Sequence, residues 1–281
     1  MKYSLRILTL AIALLGCVGL RAQEAALPVP MQEVKLDDDV QARFRAILDV
    51  PLAKNLSLEW SEQVRMHNNV SDVDKILSSV GVNYKVLPWL KVGASYSLVN
   101  VRDEDFNAAL GANEVDWKMR HLVNVDVTGS YKVGRVKLSL RERVRFNFRT
   151  DSVNKYERPD PFITLRSRLK AAYDIRQCRW EPYAYVELYT TLNAPAVVGN
   201  YLKQPLKYDN YINRVRLGLG TEMKLSNSSK LDFYYMVHFN RSYDARYKGI
   251  SKDPTNDGDL KSWELEKKCA HVICIDYKFK L

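Results

Sequence analysis

Apolar and polar residues alternate along most of this chain with a period of two. In Val136–Arg149, Val136, Leu138, Leu140, Val144, Phe146 and Phe148 form one set and Lys137, Ser139, Arg141, Arg143, Arg145, Asn147 and Arg149 the other. Only Glu142 departs from the apolar set. A period of two predicts a strand with one apolar and one charged face. The stretch is longer than the ~5–6 residues of an ordinary globular strand. It exceeds the ~9–11 tilted residues that cross a bilayer.

The pattern recurs. Leu56, Leu58, Trp60, Val64 and Met66 alternate with Ser57, Glu59, Ser61, Gln63 and Arg65. Strands follow over Ile76–Val86, Leu90–Val101 and Trp117–Ser130. In Phe162–Ile175 the apolar set is Leu165, Leu169, Ala171, Tyr173 and Ile175, against Arg166, Arg168, Lys170 and Asp174. Trp180–Leu192 opposes Ala184, Val186 and Leu188 to Tyr185, Glu187 and Tyr189. Tyr211–Leu225 opposes Val215, Leu217 and Leu219 to Arg214, Arg216 and Glu222. Leu231–Phe239 and a final strand ending on Leu281 complete the set.

Connections alternate in length. Short ones fall near residues 88, 133, 178 and 227, and long ones over 102–116, 150–161, 193–210 and 242–262. Short periplasmic turns and longer external loops are the habit of outer-membrane barrels. The expected fold is therefore all-β: an antiparallel transmembrane β-barrel. Counting from Leu56 gives ten strands. With both termini periplasmic and an even strand number, Val40–Leu48 is left outside the wall, or the count is twelve. That segment is ambiguous in itself. As a strand it sets Val40, Ala42, Phe44, Ala46 and Leu48 against Arg43 and Arg45; as a helix it would be capped by Asp39. Trp89, Trp117, Trp180 and Trp263 fall at expected strand ends, as interfacial aromatics do, and Trp60 alone falls mid-strand.

The N-terminus changes the setting. Lys2 and Arg6 precede an apolar core, Ile7–Leu20, and Leu20-Arg21-Ala22 is a plausible cleavage site. Residues 1–22 read as a signal peptide, 23–54 as a periplasmic leader with the ambiguous segment, and 55–281 as the barrel. Leu14-Leu15-Gly16-Cys17 is a rival lipoprotein site, although the apolar core continues past Cys17. Beyond the N-terminus no run of eighteen residues is apolar, which excludes a helical membrane protein. The chain carries a net charge of +10, and loss of the signal peptide removes three bases and no acid, leaving +7. Export argues against nucleic acid as the reason for that charge. The expected surroundings are outer-membrane lipid, with the barrel-assembly machinery engaged through the C-terminal strand; oligomeric state is open. Cys178, Cys269 and Cys274 remain after cleavage, an odd number without metal-like spacing. No cofactor motif is present.

Several stretches resemble the exported Gram-negative family catalogued as domain of unknown function 2490. They are Glu62-Gln63-Val64-Arg65, Leu165-Arg166-Ser167-Arg168-Leu169, Pro182-Tyr183 with Glu187 downstream, Arg214 through Gly220, and the Tyr234-Tyr235 strand. The resemblance covers residues 40–281. It implies an outer-membrane barrel with no assigned activity, and it implies a strand at Val40–Leu48.

The inward charges are the largest chemical feature. The expected lumen cluster is Arg65, Arg141, Arg143, Arg145, Arg166, Arg168, Lys170, Arg214 and Arg216, with Glu187 and Glu222 among its acids. It reads in two ways: an ion-paired plug filling a narrow barrel, which makes the protein a structural or surface-binding barrel working through its external loops, or a path or pocket selective for anions. A third reading, a surface hydrolase, rests on four histidines. His121 and His271 share parity with lipid-facing residues, and His238, near Asn240 and Asp244, is the best candidate base. No catalytic spacing singles itself out, so no catalytic or metal-binding residue is assigned. Glu62 and Glu142 share parity with lipid-facing residues and have no account from sequence.

Overall fold

A computed structural model describes residues 31–107, 112–150, 161–193, 196–197, 206–207, 211–248 and 259–281. The signal peptide expected at 1–22 lies outside these residues. The strands in order are β1 (Met31–Lys35), β2 (Asp39–Ala53), β3 (Leu56–His67), β4 (Asp72–Leu87), β5 (Leu90–Asn107), β6 (Ala112–Val133) and β7 (Val136–Arg149). They continue with β8 (Phe162–Tyr173), β9 (Trp180–Thr191), β10 (Ala196–Val197), β11 (Leu206–Lys207), β12 (Tyr211–Lys224), β13 (Ser229–Lys248) and β14 (Asp259–Lys280). β10 and β11 form a small separate hairpin between β9 and β12.

Each strand from β2 to β9, then β12, β13 and β14, pairs antiparallel with the next, and β14 returns to pair with β2. The result is a closed barrel of eleven strands. The closing ladder is parallel, with Ala270 opposite Asp39 and Lys280 opposite Asp49. Geometry requires this: strands that alternate up and down around an odd ring must meet in like directions once. The wall thus has eleven strands, between the expected ten and twelve but odd, β1 beside it makes a sheet of twelve, and the wall begins at Asp39 rather than at residue 55. The periplasmic placing of both ends falls with it, because the wall's first and last residues lie at opposite rims. Membrane barrels with an odd strand number exist.

β14 runs further than β2 and would leave an open edge at one rim. β1 covers it, pairing parallel through Met31 opposite Trp263 to Lys35 opposite Lys267. Lys267 reaches Glu33 at 2.6 Å across this pair. Part of the segment read as a solvated leader is therefore ordered, because an unpaired edge offers its backbone a ladder.

A parallel ladder is slightly less stable per residue than an antiparallel one, and charged side chains tie this seam. Asp276 accepts hydrogen bonds from Arg45 Nε at 3.1 Å and from Arg45 Nη2. Lys278 lies 3.4 Å from Asp49 and Lys268 3.8 Å from Asp39. Removing the buried end with Asp276→Asn is expected to lower the unfolding free energy by about 1.5–3 kcal/mol, the range for hydrogen bonds to charged groups. Urea titration of the folded barrel in lipid measures it; an unchanged midpoint would mean that the pair does not hold the seam.

The period-two sets sort onto the two faces. Val40, Phe44, Val80, Val125, Leu217, Phe239 and Ile273 all point outward and are exposed. Two of the expected long loops are instead largely strand. β5 and β6 stay paired to Asn107 opposite Ala112, and β13 and β14 to Lys248 opposite Asp259. These hairpin extensions are rich in charged residues, Arg102-Asp103-Glu104-Asp105 in β5 and Asp244 and Arg246 in β13, which obscures the alternation of Tyr243, Ala245 and Tyr247. Trp117, expected at a strand end, consequently sits inside β6. The short rim carries the turns at residues 54–55, 88–89 and 134–135, the last with Gly134 at φ 57. A two-residue hairpin turn calls for such a positive φ.

Inside, β12 makes room for aromatics. A side chain on Gly218 would collide with the ring of Tyr185, and one on Gly220 with the Cβ of Tyr234. Glycine there lets the Tyr183 and Tyr185 rings lie across the lumen wall.

Candidate functional site

The inward faces of β2, β3, β7, β8, β9 and β12 bring the basic residues together. The registers place Arg65 opposite Arg43, Arg141 opposite Arg168, and Arg143 opposite Arg166. Like charges directly opposite destabilise a sheet, so partners must come from elsewhere. The principal partner is Glu187 on β9, opposite Arg168 on one side and Arg216 on the other.

Glu187 is 1% exposed. Arg166 Nε donates to its Oε1 at 2.6 Å and Arg216 Nη1 to its Oε2 at 3.2 Å. Arg141 approaches Oε1 at 3.7 Å. One carboxylate thus serves three guanidinium groups. Elsewhere, Asp126 takes Arg143 in a bidentate pair at 2.5 and 2.9 Å.

Tyrosine rings carry part of the remaining charge. The guanidinium carbons of Arg216, Arg166 and Arg214 lie 4.4, 5.1 and 5.3 Å from the centre of the Tyr189 ring. Arg168 lies 5.7 Å from Tyr185 and Lys170 Nζ 3.4 Å from Tyr183. These are cation–π distances. The Tyr183 hydroxyl donates to Asp232 at 2.7 Å, and the Tyr189 hydroxyl accepts from Arg216.

A third group of arginines is held by neutral oxygens. Arg65 Nε donates to Gln63 at 2.9 Å, Arg145 Nε to Asn124 at 2.9 Å, and Arg214 Nε to Asn240. Arg43 Nη2 reaches Gln41 at 3.4 Å. Among the described residues no acid lies within ion-pair distance of these four.

The arginines, the tyrosines and the acids Glu187, Asp126 and Asp232 border one internal cavity of about 310 Å³. Eleven basic and five acidic side chains line it. The expected members Arg65, Arg141, Arg143, Arg145, Arg166, Arg168, Lys170, Glu187, Arg214 and Arg216 are all there. Glu222 is not. It pairs with Lys230 at 2.6 Å, two residues from the end of β12 at the short-turn rim. Parity gave its face correctly but not its depth. The expected cluster lacks Arg43 and Arg45 because it leaves Val40–Leu48 outside the wall, and it lacks Asp276 of β14, whose partner Arg45 lies in that segment. The available signal was the alternation of Arg43 and Arg45 with Val40, Ala42 and Phe44.

The histidines divide as their parity suggests. His121 and His271 face outward, each within hydrogen-bond distance of a tyrosine hydroxyl: Tyr96 at 2.6 Å and Tyr235 at 2.5 Å. His238 is 2% exposed and lies opposite Arg216. Its Nε2 has no hydrogen-bond partner. Among the described hydrogen bonds none joins it to a serine or an acid, and Asn240 is engaged by Arg214. No group of three His, Cys, Asp or Glu among the described residues could hold a metal ion.

The two outward glutamates gain an explanation. Ser78 donates to Glu62 at 2.7 Å and Ser167 to Glu142 at 2.6 Å, each from the opposed position on the next strand. A hydroxyl partner lowers the cost of a polar group on an apolar face.

The geometry can be set beside known proteins. The family model described as "Protein of unknown function (DUF2490)" matches residues 40–247. No curated protein matches. Among solved structures, a CymD monoaromatic hydrocarbon channel is 12% identical, with 68% of this chain and 66% of that one covered and a TM-score of 0.35. The in-vitro folded OmpT of Vibrio cholerae, an outer membrane protein, is 12% identical over 75% of this chain and 56% of that one, with a TM-score of 0.36. Outer-membrane expressed OmpT of the same organism gives 11%, 73%, 59% and 0.35. The aligned parts span less than two thirds of each of these structures. The family match covers most of this chain, and the chain belongs to the DUF2490 family of proteins of unknown function.

Proposed function

We propose that this protein is an outer-membrane β-barrel whose lumen selects and passes small anions. The outer face supports the membrane setting. A ring of exposed Val, Leu, Phe, Ile and Tyr encircles the barrel, with Val125 at 49%, Ile273 at 56% and Leu219 at 65% exposure. So large an apolar belt on a closed barrel suits lipid rather than water. The C-terminal strand ends on outward Tyr277, Phe279 and Leu281, and it is the proposed contact for the barrel-assembly machinery.

The observation that carries the anion reading is the charge imbalance of the cavity, eleven bases against five acids. Rings of Arg and Lys pass or hold anions. An ion-paired plug would have matched its charges. Glu187 is such a match for three arginines, but Arg43, Arg65, Arg145 and Arg214 have neutral partners instead.

The test is the zero-current potential of the mature barrel in a planar bilayer under a potassium chloride gradient. Discrete current steps with a potential set by chloride are expected. A silent membrane, or a potential set by potassium, would overturn the proposal.

A further inference from the structure

We propose that the part of the lumen nearer the longer loops is a discrete binding site for one tetrahedral oxyanion of the phosphate class. The inference rests on the lumen being open to anions, and it names what binds there and where.

The site is built from Arg43, Arg65, Arg145, Arg214 and Arg216, with His238. Arg65 lies two residues before the end of β3, Arg214 three after the start of β12, and Arg43 four after the start of β2, all at the same rim. They act on one another: Arg43, Arg145 and Arg216 are the electrostatic neighbours of both Arg65 and Arg214. His238 is surrounded by Arg43, Arg65, Arg214 and Arg216.

The way four of these arginines are held separates them from the others; Arg216 alone is paired with an acid, Glu187. Arg45, Arg143 and Arg166 are fastened and neutralised at once by Asp276, Asp126 and Glu187. Arg65, Arg145 and Arg214 are fastened through Nε by amide oxygens. An amide fixes the direction of a guanidinium and leaves its charge intact. It also leaves both Nη groups, the fork that grips an oxyanion in two parallel bonds.

Unfilled donors at the same level are a second, independent observation. Arg43 is 7% exposed and Arg216 is 5% exposed, yet Nε of each has no partner. Nε2 of His238 is likewise buried and unfilled. Buried polar groups are ordinarily satisfied, and burying a charge is costly unless it is paired. A tetrahedral anion supplies several oxygens and up to two or three negative charges at one point. Chloride offers one charge and no directional acceptors, and a carboxylate lies in a plane. A cavity of about 310 Å³ sits at the lower end of the ~300–1,000 Å³ typical of ligand sites, which limits the guest to a small molecule.

The experiment is calorimetric titration of the full mature barrel, folded in detergent, with inorganic phosphate over a constant chloride background. One saturable site is expected. Arg145→Gln and Arg214→Lys should each weaken it at least tenfold, the second because lysine keeps the charge and loses the fork. Asn240→Asp should have the same effect while keeping Arg214 anchored, since an acid there neutralises it. Folding of each variant is checked by heat-modifiable gel migration. A parallel titration with glycerol 3-phosphate separates a free ion from a phosphate ester as the natural guest, and binding of either supports the site. Absence of saturable binding by both, or affinity unchanged in properly folded Asn240→Asp, would overturn it. Chloride-selective current without phosphate binding would remove this site and leave the anion-passing reading standing. Phosphate binding across a silent membrane would do the reverse.

Discussion

Replacing Glu187 with alanine is expected to lower the unfolding free energy of the barrel by about 3–5 kcal/mol, the cost of breaking a buried ion pair by removing one partner. Glu187 is 1% exposed and faces Arg141, Arg166 and Arg216 at 3.7, 2.6 and 3.2 Å. Its loss leaves three guanidinium groups in a wall already rich in positive charge. Glu187→Gln keeps an acceptor oxygen and should cost less than the alanine variant. Both substitutions make the lumen more positive by one charge, so the zero-current potential should move further toward chloride. Urea unfolding in phospholipid vesicles measures the first effect and bilayer recording the second. A stable Glu187→Ala barrel would mean that the arginine cluster is stabilised by hydration rather than by this carboxylate.

Replacing Val125 with arginine is expected to cost about 2–4 kcal/mol, the price of a cation on the lipid face near the midplane. Val125 lies in the middle of β6, with Ala94 and Val144 as cross-strand neighbours. The same substitution at Tyr131, near the short-turn end of β6, should cost only about 0–1 kcal/mol. Tyr131 and Val125 are almost equally exposed, at 50% and 49%. A protein in water would treat them alike. Equal costs would therefore remove lipid from the account.

Much of the architecture is legible because a barrel in the proposed membrane setting obeys a simple rule. Wherever a strand crosses the apolar zone, one face must be oily, and the side-chain period of two writes that directly into the sequence. β7, β8 and β12 follow the rule with almost no exceptions. Where the rule lapses, so did the reading. The hairpin extensions of β5–β6 and β13–β14 are crowded with charged residues, among them Arg102-Asp103-Glu104-Asp105, Asp244 and Arg246, and read as loops from sequence. β2 does alternate, but parity overruled it: the even count rested on both ends of the wall sharing a rim, and the parallel closure removes that premise. The faces of the site residues followed from the same periodicity. Their heights did not, because depth depends on stagger between strands. Glu222 was accordingly grouped with residues that lie deeper in the lumen. Which arginines have acids and which have amides is a matter of register between neighbouring strands, and one sequence does not display it.

The central claim is that the outward half of each alternating set touches lipid. It is tested most directly by nitroxide labels placed one at a time at positions 122 to 127 on β6, in the cysteine-free barrel reconstituted in bilayers. Collision with oxygen and with a water-soluble nickel complex is measured at each site. Labels at Val123, Val125 and Val127 should meet oxygen freely and the nickel complex hardly at all, with Leu122, Asn124 and Asp126 out of phase. Equal access of the nickel complex to Val125 and its outward neighbours would contradict the account.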